Sequence, residues 1–329
     1  MKDKKYKIAV IGGDARQLIV GAELSRAGYE VALYGFGGEA AGVPRVVDSL
    51  CCGGSNVGVG ELLASISCGE EMDCGTLSRS VGDAVRGCRT VILPLPASSD
   101  GTKVSMPLNQ GALLKLTTLV ELMAQNGVGL VCGGKLPPDF VALCIQRGIK
   151  TFDYYESEAF AIANAIPSAE GAIEIAMRET ARTLNGSSAL VVGYGRIGKV
   201  LSRLLSRLGV AVTVSARKPS DLAWIQADGY APAETGKLAE LLCDTRFDII
   251  FNTVPHTVFG ERELVLVPRK TLIIDLASKP GGVDIPTADR LSLNVIWALS
   301  LPGKVAPVTS GTIIADTVID ALERYGGES

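Results

Sequence analysis

Leu190-Val-Val-Gly193-Tyr-Gly195-Arg196-Ile197-Gly198-Lys-Val200 runs from an apolar strand through a glycine turn into an amphipathic helix. The G-x-G-x-x-G spacing has a physical reason at each glycine. The first permits the tight turn, the second lets a diphosphate approach the backbone, and the third lets helix and strand pack closely. The N–H groups at the helix start then face the anion. The spacing alone is common, but here a strand precedes it, a helix over Val200–Leu208 follows, and a second strand, Ala211–Val214, comes next. Gly193, Gly195, Arg196, Ile197 and Gly198 are therefore expected to hold a dinucleotide.

Working outward, the second strand ends in Ser215-Ala216-Arg217-Lys218, where an NAD site would place an acid on the ribose hydroxyls. A hydroxyl and two cations suit a 2′-phosphate instead, because Arg donates paired charge-assisted hydrogen bonds that an acid would oppose. Ser215, Arg217 and Lys218 thus point to NADP. Two later strand ends, Phe251-Asn252-Thr253-Val254-Pro255 and Asp275-Leu-Ala277-Ser-Lys279-Pro-Gly281-Gly282, fall where such sheets line their ligand crevice. From them Asn252, Thr253, Val254, Pro255, Asp275 and Ala277 are expected beside the nicotinamide.

Buried-strand runs recur before and after this unit: Lys7–Ile11, Val31–Tyr34, Thr90–Leu95, Val128–Cys132, then Ala189–Val192, Asp248–Asn252, Thr271–Leu276 and Asn294–Ala298. Helical patterns over Leu18–Ala27, Gly111–Gln125 and Leu238–Cys243 lie between them. This alternation predicts an α/β chain of two doubly wound parallel-sheet, Rossmann-like domains. Residues 1–152 form the expected substrate domain, 153–186 a connecting helix with Pro167-Ser168 as start signal, and 187–304 the NADP-binding domain. A helix within 305–329, periodic over Thr309–Tyr325, returns toward the first domain. The Cys- and Gly-rich stretch from Phe36 to Ser80 carries no assignment.

The first turn, Gly12-Gly13-Asp14-Ala15-Arg16-Gln17, follows a strand but lacks the dinucleotide spacing. Arg16 and Gln17 at a helix start suit a substrate carboxylate. Polar loops with Ser98, Lys103 and Lys135 occupy similar strand ends, so an anionic ligand is expected there. His256 is the sole histidine and has no carboxylate near it in sequence, which argues against a His-assisted hydroxy-acid dehydrogenase.

The 329 residues carry 47% hydrophobic and 20% charged residues and a net charge of −3, which predicts globular domains and excludes a basic nucleic-acid or membrane footprint. The basic start MKDKKYK meets too few apolar residues for a signal or membrane-spanning segment, so a cytoplasmic protein is expected. Eight cysteines without a C-x-x-C pair predict buried thiols rather than a metal site or a nucleophile.

The stretches KIAVIGGDARQ, DYYESEAFAIANAIPSAEGAIEIAM, GYGRIG, NTVP, DLASKPGG and LPGKVAPVTSGTIIADTV together resemble the A-subunit family of bacterial dipicolinate synthase, and the architecture resembles that of formate and glycerate dehydrogenases. The resemblance implies NADP-linked oxidation of dihydrodipicolinate to pyridine-2,6-dicarboxylate, in concert with a flavoprotein-like B subunit, in the mother cell of a sporulating bacterium. It implies that Arg16, Gln17, Ser98, Lys103, Lys279 and Gly281 hold the dicarboxylate, and that Asp14, Lys135 or Glu170 assists proton removal. Aromatisation favours the product, so positioning would matter more than a strong base. Two other readings keep the fold: a general NADP-dependent 2-hydroxy- or 2-amino-acid dehydrogenase, and a non-catalytic NADPH-binding subunit.

Overall fold

A computed structural model describes residues 6–36, 76–109 and 111–326, so most of the unassigned Cys- and Gly-rich stretch lies outside the described residues. The chain divides into two compact units, Met1–Ala161 with Ala306–Ser329, and Ile162–Val305. The first unit runs β1 (Lys7–Ile11), α1 (Ala15–Arg26), β2 (Glu30–Tyr34), β3 (Thr76–Leu77), α2 (Val81–Val85), β4 (Cys88–Ile92), α3 (Leu116–Gln125), β5 (Leu130–Gly133), α4 (Pro138–Gln146) and β6 (Lys150–Asp153). Helix α5 (Glu158–Glu179) leads into the second unit. There follow β7 (Ser188–Val192), α6 (Arg196–Arg207), β8 (Ala211–Ala216), α7 (Pro219–Ala227), β9 (Ala231–Glu234), α8 (Leu238–Asp244), β10 (Ile249–Asn252) and α9 (Glu261–Leu264). The second unit ends with β11 (Leu272–Asp275), α10 (Ile285–Arg290), β12 (Asn294–Trp297) and α11 (Leu301–Val305), and α12 (Pro307–Gly326) rejoins the first.

Each unit holds one six-stranded sheet, ordered β3-β2-β1-β4-β5-β6 and β12-β11-β10-β7-β8-β9, with parallel pairings throughout. Both orders reverse beside their first strand, between β1 and β4 and between β7 and β10. Such sheets bind ligands at that reversal, outside the carboxyl ends of the strands.

The strand period of two divides each core between the faces of its sheet. Ile8 and Val10 meet Leu18 and Ile19 of α1 and Ile314 and Val318 of α12, whereas Ala9 and Ile11 meet Leu119 and Val120 of α3 and Phe140 of α4. In the second unit Ala189 and Val191 pack with Ala169, Leu201 and Leu205, while Leu190 and Val192 pack with Leu238, Leu242 and Phe259.

Helices α1 and α12 approach closely because Gly311 has no side chain. A Cβ there would lie 2.5 Å from Ile19 Cβ and 2.7 Å from the Arg16 carbonyl oxygen. Gly311→Ala should destabilise the first unit by about 1–3 kcal/mol, the usual range for overpacking. Thermal denaturation followed by circular dichroism checks this, with Gly129→Ala, whose Cβ meets nothing within 4 Å, as control.

Several element boundaries differ from the sequence expectation. Helix α5 runs through Pro167 rather than starting there, and Ser168 Oγ donates to the Asn164 carbonyl at 2.8 Å inside the helix. Its start lies at Ser157, whose carbonyl accepts from Ala161 N–H at 2.9 Å. Helix α3 begins at Leu116, not Gly111, because Lys115 forms a bridge with Lys103.

Candidate functional site

At the reversal of the second sheet, β7 is followed by Gly193 with φ +101, and Gly193 N–H donates to the Ser215 carbonyl at 2.9 Å. A Cβ on Gly198 would lie 2.0 Å from the Gly193 carbonyl oxygen, so α6 can start this close to the turn only with glycine there. Gly195 is the N-cap of α6, no side chain caps that helix, and a Cβ on Gly195 meets nothing within 4 Å. The helix start therefore presents N–H groups to open space, which fits a diphosphate. Thr253 Oγ1 donates to the Val192 carbonyl at 2.9 Å, and Thr253 and Val254 flank the Gly193 turn. Pro255 is exposed beyond them.

The first sheet's reversal is built differently. Asp14 caps α1, its Oδ1 accepting Arg16 N–H at 3.0 Å, and the Arg16 guanidinium binds both carboxylate oxygens, Nε to Oδ1 at 2.9 Å and Nη2 to Oδ2 at 2.8 Å. The protein's own carboxylate thus fills the anion position at this helix start. Both Asp14 oxygens are committed, so Asp14 orients Arg16 instead of serving as the expected proton acceptor. Burial opposes the Arg16 charge, and Asp14 more than restores it, so the Arg16 pKa is raised. Arg16 Nη2 also donates to the Leu95 carbonyl at 2.7 Å, while Nη1 has no hydrogen-bond partner among the described residues. Gln17 is buried with Nε2 on the Leu93 carbonyl at 3.0 Å, which makes it a brace for β4 and corrects its expected place as a ligand contact.

Ser98 and Lys103 belong to a loop wound around Asp100, whose Oδ1 accepts Thr102 N–H at 2.8 Å, Lys103 N–H at 2.9 Å and Ser98 Oγ–H at 3.2 Å. Those bonds, the two backbone N–H groups first, hold the Asp100 carboxyl far below the usual carboxylate range. Lys135 leaves β5 with its ammonium 4.5 Å from the centre of the Tyr155 ring. Asp153 and Tyr155, absent from the sequence-based set, stand beside it. The signal for them was the register that pairs Gly133 with Asp153.

At the end of β8, Arg217 and Lys218 are exposed, as a phosphate contact requires. Ser215 is fully buried and its Oγ accepts from Thr235 Oγ1 at 3.2 Å, so its hydroxyl supports the strand end rather than facing a ligand. Asn252 and Asp275 likewise turn inward, each at most 1% exposed. Asn252 Nδ2 donates to Asp275 Oδ1 at 2.7 Å, and Asp275 also accepts from Ala277 N–H at 3.0 Å and Gly282 N–H at 2.8 Å. Expected as coenzyme contacts, these two residues instead tie β10, β11 and the following loop together. Ala277 is buried and its carbonyl accepts Trp297 Nε1–H at 2.9 Å; Gly281 is buried against the Trp297 ring. Lys279 and His256 are exposed.

Glu170 lies in a depression of about 600 Å³ with Ile173, Met177, Leu204, Arg207 and Leu208. Leu204 and Arg207 lie nine and twelve residues past Gly195, roughly 13 and 18 Å along the helix at 1.5 Å per residue. The depression that Glu170 lines thus opens beside the far half of α6 rather than at the turn. Among the described cysteines, burial pushes the Cys88 thiol up to about 11 and those of Cys132 and Cys144 to about 12, whereas Cys243 is exposed. No described helix is long and apolar enough to cross a membrane.

The family model for the N-terminal domain of the dipicolinate synthase A subunit matches residues 7–50. The dipicolinate synthase A subunit of Bacillus subtilis (strain 168) is 31% identical over 324 residues, 98% of this chain and 97% of that protein. The crystal structure of the corresponding A subunit from Bacillus halodurans superposes with a TM-score of 0.79 at 29% identity, covering 97% of this chain and 98% of the other. A transhydrogenase from Sinorhizobium meliloti shares the fold at a TM-score of 0.64 and 14% identity, covering 96% and 94% of the two chains. With an uncapped glycine turn in one unit, an Asp14-fixed arginine in the other and this likeness along nearly the whole length, the chain belongs to the A-subunit family of dipicolinate synthase.

Proposed function

We propose that this chain oxidises dihydrodipicolinate to dipicolinate with NADP as coenzyme, working with a B subunit in the cytoplasm of the mother cell during sporulation. The observation that carries the proposal is the contrast between the two helix starts. That of α6 is glycine-lined and uncapped, while that of α1 is occupied by Asp14. One is suited to a coenzyme diphosphate and the other to presenting a cation.

The backbone of Gly195, Ile197 and Gly198 would hold the diphosphate, and Arg217 with Lys218 the 2′-phosphate. When bound there, the nicotinamide supplies the hydride acceptor. Arg16 Nη1 would hold one substrate carboxylate, its direction fixed by Asp14 and the Leu95 carbonyl. The ring gives up a hydride and a proton, and the aromatic product favours that loss. The proton passes to solvent, because the Asp14 carboxylate is bound by the Arg16 guanidinium and Lys135 presents an exposed ammonium on the first unit's strand-end rim.

The test is a spectrophotometric assay with NADP and freshly generated dihydrodipicolinate, run with and without the B subunit. NADPH should appear at a rate proportional to this chain. No NADPH in either mixture refutes the proposal, and turnover that leaves NADP unchanged refutes the coenzyme assignment. Arg217→Asp should lower NADP affinity roughly 10- to 100-fold, the worth of a charge-assisted hydrogen bond, with NAD affinity little changed. Calorimetry that finds equal losses for both coenzymes counts against a 2′-phosphate at this position.

A further inference from the structure

Asp153 closes β6 with one carboxylate that accepts three backbone N–H groups: Lys135 at 3.0 Å and Tyr155 at 2.9 Å on Oδ1, and Leu136 at 2.8 Å on Oδ2. Two of those groups belong to the turn leaving the neighbouring strand β5, so the side chain fixes a loop it is not part of. Lys135 in that loop has φ +53, a left-handed conformation that costs a residue with a Cβ about 1–2 kcal/mol. Glycine would adopt it freely, as Gly12 and Gly13 do at the end of β1. Charge-assisted bonds to Asp153 offset the cost.

The strained backbone aims an exposed ammonium over the Tyr155 ring rather than toward any carboxylate, since no acid pairs with Lys135 among the described residues. A cation held over an aromatic face is only weakly engaged, by about 0.5–1 kcal/mol at an exposed site. An anion would draw it away readily. Arg16 stands on the same rim. The Gly134 backbone packs on Leu95 and Tyr154, where a Cβ would meet either side chain at 2.7 Å, and Leu95 accepts Arg16 Nη2 through its carbonyl. Strands β1 and β5 flank β4, which places the two cations on loops about 10 Å apart at their roots, two inter-strand spacings. A separation of that size suits a small ligand with two carboxylates.

We infer that Lys135 reads the second carboxylate of a dianionic substrate while Arg16 Nη1 takes the first, and that Asp153 is the positioning residue that presents Lys135. This deepens the proposed function and rests on it. Lys135 thereby becomes a specificity determinant, and Asp153 acts only through it.

The experiment compares binding of pyridine-2,6-dicarboxylate with that of pyridine-2-carboxylate, which lacks one carboxylate, by calorimetry on the full chain. The wild type should prefer the dianion at least about 10-fold, the worth of one charge-assisted bond. Lys135→Gly should erase that preference, leave the monoanion's affinity unchanged, and raise the melting temperature because the backbone strain is relieved. Asp153→Asn should also lower the preference, since an amide cannot accept all three N–H bonds. In the Lys135→Gly background it should change neither affinity. A purely structural Asp153 would weaken both ligands alike in either background, and that result overturns the inference. So does retained preference in Lys135→Gly, which stays folded and informative even if Asp153→Asn does not. A wild type that binds neither pyridine ligand removes the substrate reading and this inference together, whereas normal discrimination by all variants removes the inference alone.

Discussion

Replacing Gly198 with alanine should raise the dissociation constant for NADP at least 100-fold while the chain stays folded. The added Cβ would lie 2.0 Å from the Gly193 carbonyl oxygen and 2.9 Å from its carbon, both backbone atoms that cannot rotate away. Gly193 cannot retreat either. Its N–H is bonded to Ser215, and Thr253 Oγ1 lies 2.4 Å from where a Cβ of its own would be. The start of α6 must therefore move outward by more than about 1 Å to restore ordinary van der Waals contact. A displacement of that size at a binding centre costs about 100-fold. Gly195→Ala makes the complementary case, because its Cβ meets no protein atom within 4 Å. It should leave the melting temperature unchanged and still weaken NADP, since the space it fills is the space assigned to the diphosphate. Calorimetry and thermal denaturation on the two variants separate the effects. Wild-type affinity in Gly195→Ala would place the diphosphate elsewhere.

The same glycine turn explains why so much of the architecture was legible in the chain. Central strands such as Ile8–Ile11 and Ala189–Val192 are buried on both faces and so appear as unbroken apolar runs. Edge strands carry a weaker mark, which the apolar Val295-Ile296-Trp297 of β12 still shows but two others do not. Ala231–Glu234 is mostly exposed and contains Pro232, and Lys150–Asp153 is never fully buried, so neither was visible as a strand. Pro167 was misleading for a related reason. Inside α5 it removes one N–H donor, but the helix is held by the packing of Ala165, Ala169, Ala172 and Ala176, all at most 1% exposed, and tertiary burial outweighed the local break.

Function divided along similar lines. A glycine reveals its role through its own missing side chain, whereas a polar residue at a strand end can face a ligand or its neighbours with the same sequence signature. Arg217 and Asn252 both follow apolar runs, yet one is exposed and the other buried. The distinction lay in register. Asn252 pairs with Asp275 and Gly133 with Asp153 once the strands are aligned, and each pairing creates a carboxylate that organises an adjacent loop.

Asp275→Ala should accordingly have the largest effect on stability of any single change at these strand ends. Asp275 is 1% exposed, and its loss leaves Ala277 N–H and Gly282 N–H without their acceptor and takes one of two acceptors from Asn252 Nδ2, which keeps the Val254 carbonyl at 3.0 Å. Water cannot easily replace it. Gly282 packs so tightly that a Cβ would lie 2.0 Å from Asn252 Nδ2 and 2.6 Å from the Val254 carbonyl oxygen. Each buried donor left unpaired costs about 1–3 kcal/mol. Two such costs, with the weakened bonding of Asn252 added, approach the lower end of the whole stability of a typical domain, about 5–15 kcal/mol. The second unit should melt far below the wild type, or fail to fold, while the first unit's transition is retained. Asp275→Asn keeps the shape but must turn an NH2 toward at least one of the same donors, so it should fall between, at about 1–3 kcal/mol. Two-transition calorimetry distinguishes these outcomes. An Asp275→Ala protein that melts like the wild type would mean that the loop after β11 finds other acceptors, and the buried carboxylate would then require a role at the coenzyme after all.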